Sequence, residues 1–371
     1  MSSLLITLQS LVVFLLLLSL IVGVHEWGHF IVARLSRMKV NEFALGFPPR
    51  VFGKYWRGTH FALNAIPLGG YVKIAGENDG VDAVPEPGTF RARPIWQRIA
   101  VLLAGPAMNF AFAFLALILA YSVGYSYSHQ QLSKIPGAKV LSHEVLLVAK
   151  QDTSPVKAAP GSSLLGIRAK GESGFAQIEN PAWLVTYGKQ QQVKGQLEQE
   201  LLVRGPLKTD AQELEVVTLH ATGPALGVLI DSTEVVRLPV DQAARVAGQE
   251  VVFIIKDTWG SLSGFVSGVF HAKVDENISG PIGIYQATDA ANKTGAGAVF
   301  WLIIILSVNL GLLNLMPLIP LDGGRVVLQI LERFTGRSMA MKIEHTASIV
   351  GASLLALLML IVTVKDVIKL F

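Results

Sequence analysis

Long apolar runs dominate the hydrophobic pattern, and four of them approach or exceed the roughly 20 residues that a spanning helix needs. They are Leu4–Ala33, Ile99–Val123, Val299–Ile319 and Ala347–Val364. Between the first two, the period changes. Thr59–Ile66 alternates as a strand does, Pro67-Leu68-Gly69-Gly70 has turn residues, and Tyr71–Ala75 reads as a returning strand, so a β-hairpin is predicted. Residues 76–94 are rich in Gly, Pro and acid and read as loop. Segment 125–238 mixes polar residues with short strand-like runs such as Val145–Ala149 and Leu214–Leu219, and has the length of one soluble domain. Segment 241–273 reads as an amphipathic helix on the membrane surface, although its glycines weaken that pattern. No internal repeat is visible.

The pattern divides the chain into a first membrane helix (1–36), a cytoplasmic or re-entrant hairpin and loop (37–97), a second helix (98–124), an inserted domain (125–238), a linker (239–298), a third membrane segment (299–335) and a fourth (346–366). The expected fold class is a polytopic α-helical membrane protein with about four transmembrane helices. A cleaved signal peptide is the alternative for the first run, but its apolar length exceeds that of a signal, and it has neither a basic start nor a small-residue cleavage site before His25. Charge sets the orientation. Segment 34–98 carries ten Arg and Lys, and Arg325, Arg333, Arg337 and Lys342 follow the third run. The positive-inside rule puts both in the cytoplasm, and 125–238 and the two termini outside. Lys365 and Lys369 argue weakly the other way.

Composition narrows the chemistry. The chain of 371 residues is 51% hydrophobic and 16% charged, against about a quarter charged in soluble domains. Its net charge of +4 comes from basic residues that are scattered or flank apolar runs, which is no nucleic-acid footprint. There is no cysteine, so disulfides, thiolate nucleophiles and Cys-bound zinc are excluded. Any metal must be held by His and carboxylates.

The main chemical signal is His25-Glu26-Trp27-Gly28-His29. On a helix the two histidines share a face one turn apart and can bind one metal, with Glu26 beside them to take a proton from water. The motif lies inside an apolar run, with His25 roughly 13 Å from Arg34 along the helix axis. Ionisable groups at such depth are costly and usually functional. A catalytic zinc takes three protein ligands as a rule. The best third candidate is Asp322, in Asn314-Leu315-Met316-Pro317-Leu318-Ile319-Pro320-Leu321-Asp322-Gly323-Gly324. The two prolines break helical hydrogen bonding there, which is tolerated only against protein or a wet cavity, so Asn314 and Asp322 are expected to face a polar interior. The bland alternative for Asp322 is a helix cap. Glu42 and Glu77 are rival third ligands.

With these motifs the chain resembles the site-2 protease family of intramembrane zinc metalloproteases, in its bacterial branch that cleaves anti-sigma factors. The likeness rests on HEWGH, on N-x-x-P…LDG, on Gly105-Pro106-Ala107-Met108-Asn109, on Pro67–Lys73, which is similar to the family's re-entrant hairpin, and on Gly280–Ile284. It implies Zn2+ held by His25, His29 and Asp322, Glu26 as general base, and Asn314 holding substrate or stabilising an oxyanion. It implies regulated intramembrane proteolysis of single-span membrane proteins, such as anti-sigma factors or signal-peptide remnants, in the bacterial inner membrane. It also implies a PDZ-like α+β domain outside, to which Ser154–Ala159 and Pro160-Gly161-Ser162 are weakly similar. That domain is expected to govern which substrates are admitted. Gly105 and Asn109 read foremost as helix-packing residues, and the six remaining histidines as ordinary. Two non-protease alternatives stand beside this reading. One is a membrane scaffold that binds transmembrane helices, for which Glu26 would be superfluous. The other is a transporter, which the absence of a repeat disfavours.

Overall fold

The structure is a computed structural model. It describes residues 2–77, 86–124, 132, 135–150, 163–169, 173–177, 198–204, 214–220, 228–270 and 280–368. In chain order the elements are α1 (Ser2–Leu35), β1 (Val40–Trp56), β2 (Thr59–Ile74), α2 (Ile95–Val123), β3 (Lys139–Lys150), β4 (Ser163–Ala169), β5 (Ala176–Gln177), β6 (Glu198–Arg204), β7 (Leu214–His220), β8 (Val228–Arg237), α3 (Val240–Phe270), α4 (Pro281–Thr294), α5 (Ala296–Asn314), α6 (Asp322–Thr335) and α7 (Arg337–Ile368). They fall into two compact units. One comprises 1–116, 251–289 and 303–371; the other comprises 117–250 and 290–302.

Four helices are long and apolar enough to cross a membrane: Leu8–Leu35, Ile95–Val123, Ala296–Asn314 and Ser338–Ile368. In α1 a single stripe of Phe14, Leu17, Ile21, His25 and His29 is buried, at the three-and-four spacing of one helix face. Leu8, Leu11, Val12, Leu16 and Leu20 stay exposed, as side chains meeting lipid can. In α7 the exposed set includes Ile349, Leu354, Leu357, Leu360 and Ile361.

The sheet of the first unit differs from the expected hairpin. β1 and β2 each bend, and their ladders give four rungs in the order 50–56, 59–66, 40–47, 70–74, in which 59–66 and 40–47 run in the same direction and the two outer pairings are antiparallel. The tight turn is Arg57-Gly58, where Trp56 faces Thr59. Thr59–Ile66 and Tyr71–Ile74 do not pair with each other. Both flank Val40–Phe47, with Phe43 opposite Phe61 on one side and Val72 on the other. The error arose at Pro67–Gly70, whose residues suit a turn but here lie within β2. The missed strand is interrupted by Gly46 and Pro48-Pro49, which hide its alternation. Ala33, Met38, Val40, Ile74, Phe90, Val101 and Leu102 form a buried cluster that fixes this sheet to the end of α1 and the start of α2.

Two other segments depart from the sequence reading. Residues 299–335 are not one membrane segment: α5 ends at Asn314, and α6 begins afresh at Asp322. Residues 239–298, read as a linker with an amphipathic helix at 241–273, do hold a helix there, α3, and depart from that reading only in also holding α4 and the start of α5. Asp366 of α7 accepts the N–H groups of Gly280 and Gly283, both at 2.9 Å, and so pins the start of α4.

In the second unit, β7-β6-β4-β3-β8 form an antiparallel sheet with β5 added to β4. Residues 154–162, which carry the PDZ-like likeness, lie outside the described residues.

Candidate metal centre

α1 runs unbroken through the His-Glu-x-x-His segment, so His25 and His29 project from one face, and their rings meet edge to face at 4.8 Å. What they face is α2. A side-chain carbon at Gly105 would overlap the Nε2 atoms of both imidazoles, and one at Gly28 would overlap the Ala104 carbonyl. Glycine at 28 and 105 therefore lets two helices close around the two rings.

Asp322 arrives from a different kind of backbone. After Asn314 the chain passes through short turns, with Leu318 N–H bonding to the Met316 carbonyl at 2.7 Å and Leu321 N–H to that of Leu318 at 2.8 Å. Pro317 and Pro320, with no N–H to give, prevent α5 from continuing. Leu321 occupies the cap position of α6, so Asp322 sits in its first turn, and its carboxylate does not cap the helix. Gly323 and Gly324 lie against the backbone of Leu315–Ile319 with no room for a side chain. The loop thus folds onto α6 and aims Asp322 inward.

The three donor atoms form a triangle. His25 Nε2 and His29 Nε2 are 3.1 Å apart, and Asp322 Oδ2 lies 3.1 Å from the first and 3.3 Å from the second. Zinc ligands at about 2.0–2.1 Å in tetrahedral array stand about 3.3 Å from one another. The triangle matches one face of that tetrahedron, so the donor set fits a zinc ion with its fourth position open. Asp322 offers a carboxylate oxygen to the metal position. An ionised carboxylate is the form a metal requires.

Outer partners fix the rings. His29 Nδ1–H donates to the Val101 carbonyl at 2.8 Å, which leaves Nε2 with its lone pair toward the metal position. On His25 the outer nitrogen, Nδ1, lies 3.4 Å from the Asn109 amide nitrogen, while the buried Asn109 Oδ1 has no partner. The two amide orientations differ only by a half-turn. With the amide turned, Oδ1 accepts from His25 Nδ1–H, which leaves the Nε2 lone pair of His25 toward the metal position. Asn109, read from the sequence as a packing residue, is thus also a partner of His25, and Ser307 in turn donates to its backbone carbonyl at 3.1 Å.

A cavity of about 250 Å³ joins His25, Glu26, His29, Asn314 and Asp322. Tyr71, Val72 and Ile74 from the edge strand also line it, and so do Glu77 and Arg325, paired at 2.6 Å. Gly70 lies against Glu26, where an added carbon would come within 3.2 Å of its Cγ. Asn314 uses one amide N–H on the Leu310 carbonyl at 3.0 Å and has a second N–H. The rival ligands are otherwise engaged. Glu42 binds Arg50 at 2.7 Å and His60 at 3.3 Å, and Glu77 binds Arg325. Among the described residues, His25, His29 and Asp322 are the group able to hold a metal. The sequence reading missed Tyr71, Arg325 and the ring-facing role of Asn109, because their placement depends on tertiary packing.

Comparison with known proteins agrees with this chemistry. The sequence pattern of Peptidase family M50 matches residues 13–358. "Putative zinc metalloprotease CA_C1796" of Clostridium acetobutylicum is 28% identical over 364 residues, covering 97% of each chain. "Putative zinc metalloprotease FN1322" of Fusobacterium nucleatum is 29% identical over 359 residues, covering 96% of this chain and 97% of its own. "Regulator of sigma-W protease RasP" of Bacillus subtilis is 26% identical over 448 aligned positions, covering 98% and 99%.

Proposed function

The chain belongs to peptidase family M50 and is a multi-pass zinc metalloendopeptidase of the site-2 protease type, and from that premise we propose that it cuts single-span membrane proteins within or near their transmembrane segments. The observation that carries the proposal is the donor triangle of His25, His29 and Asp322, sharing one cavity with Glu26 on a helix able to span the membrane. Anti-sigma factors are the favoured substrates, a choice supported by the relative whose name ties it to sigma-W.

Bound in the triangle, zinc supplies a Lewis acid that polarises a peptide carbonyl and brings the pKa of water toward about 7. His25, His29 and Asp322 hold it, while the Val101 carbonyl and Asn109 keep the rings oriented. Glu26 accepts the proton of water as the oxygen attacks the carbonyl carbon. It then returns that proton to the amide nitrogen as the C–N bond breaks. Asn314 directs its second amide N–H at the developing oxyanion. A helical substrate hides its amides in its own hydrogen bonds. The rung 70–74 ends the sheet beside the cavity and can pair with a substrate strand once it is unwound. The basic segments 34–98 and 325–345 face the cytoplasm of a bacterial inner membrane, and 125–238 lies outside, where it filters substrates.

The test is mass spectrometry of a single-span substrate incubated with the protein in proteoliposomes. Cleavage inside the apolar stretch is expected, abolished by a chelator and by Glu26→Gln, with zinc retained in that variant. Near wild-type cleavage by Glu26→Gln would remove the base from the scheme.

A further inference from the structure

A second cavity, of about 370 Å³, lies between α1 and the Arg57-Gly58 turn of the sheet. Trp27, Phe30, Trp56 and Phe61 line it, together with the exposed Arg34 and Arg57. At about 100° per residue, Trp27 and Arg34 lie on the opposite side of α1 from His25 and His29. A peptide seated here therefore does not reach the metal ligands, and the cavity is separate from the catalytic one.

Its charge is unbalanced. Residues 34–57 contain six Arg and Lys and a single acid, Glu42. Arg50 and His60 already occupy that carboxylate. Among the described residues neither Arg34 nor Arg57 has a carboxylate partner. Instead Arg34 donates to the Arg57 carbonyl at 3.3 Å, which draws the two like-charged residues together, and the Arg57 guanidinium lies 4.9 Å from the centre of the Trp56 ring. Two unneutralised guanidinium groups in one place ask for an anion, and Arg suits phosphate in particular. Beside them Trp56, 54% exposed, and Trp27, 41% exposed, continue an apolar wall. Aromatic residues of this kind belong at the membrane interface. Arg34 marks the end of the first span. A free anion would leave the apolar wall in water, and a neutral hydrocarbon would leave the arginines unpaired. We propose that this groove binds one anionic diacyl phospholipid, with an acyl chain along the aromatic wall and the headgroup phosphate between Arg34 and Arg57.

Native mass spectrometry of the full chain in mild detergent tests this with dioleoyl phosphatidylglycerol and dioleoyl phosphatidylcholine as probes. Phosphatidylglycerol should be retained over phosphatidylcholine by roughly fivefold for each arginine. The double variant Arg34→Gln, Arg57→Gln should lose that preference, with zinc content and unfolding temperature unchanged. Arg34→Lys, Arg57→Lys should keep most of it, and Trp56→Ala should weaken retention of both lipids. Equal retention of the two lipids by the wild type, or an unchanged preference in the Gln variant, overturns the proposal. Displacement by inorganic phosphate alone makes the site a simple anion site, and displacement by a single-span substrate peptide gives the groove to substrate. Either result also overturns it.

Discussion

Two stretches of chain bring donor atoms to the metal position, α1 with His25 and His29 and the α5–α6 junction with Asp322. α1 is a continuous helix of 34 residues, and the spacing of its histidines sets both on one face. The junction abandons the helix at Asn314 and restarts it at Asp322, using two prolines to stop one helix and two glycines to let the loop lie on the next. A ligand pair four residues apart needs only regular backbone to share a face. A lone ligand from a distant segment needs irregular backbone whose every contact is specified.

Substitutions can break or sharpen that contrast. The largest effect is expected of Asp322→Ala, which removes a donor outright. Zinc by elemental analysis should fall to background, and proteolysis should fall by more than the ~100-fold that outer partners cost. Full zinc in that variant would disprove the assignment. Gly323→Ala should come next, because its new methyl meets the Leu315 and Met316 backbone. A cost of about 1–3 kcal/mol is expected from such overpacking, seen as a lower unfolding temperature together with lower zinc occupancy. Asn109→Ala should weaken zinc binding by roughly 10–100-fold in chelator competition, and Asn109→Asp, which keeps an acceptor, should recover most of it. The smallest effect is expected at Gly23, in α1 away from the contact with α2. At Gly23 an added carbon meets only the flexible end of Leu45, at 3.1 Å. Gly23→Ala should therefore stay within ~1 kcal/mol of wild type, since better helix propensity offsets the contact, and retain full zinc. A loss of zinc there would show that α1 is as exacting as the junction.

The same contrast explains what could be read from the sequence. The four apolar helices and the His25–His29 pair are local features with a fixed period, so residue type and spacing reveal them. Asp322 could be nominated because prolines and a carboxylate do not otherwise belong at membrane depth. The sequence could not release it from rivalry with Glu42 and Glu77, whose ion pairs with Arg50 and Arg325 depend on how the chain folds back on itself. The strand Val40–Trp56 was hidden by Gly46 and Pro48-Pro49, which interrupt its alternation. Asn109 looked like a packing residue because a small or polar residue on an apolar helix serves packing equally well. Only the arrival of His25 from another helix distinguishes the two roles.

The separation of His25 from Asp322 by 297 residues also has a meaning for biosynthesis. At roughly 5–20 residues per second, a ribosome needs on the order of 15–60 seconds after making His25 before it makes Asp322. During that interval α1 is already available to the bilayer, but its histidines lack their third companion. On the proposed ligand set, a nascent chain thus cannot complete the metal centre, and neither can a translation product truncated before the α5–α6 junction. The order of the residues along the gene delays the enzyme's first cut until most of its own chain exists.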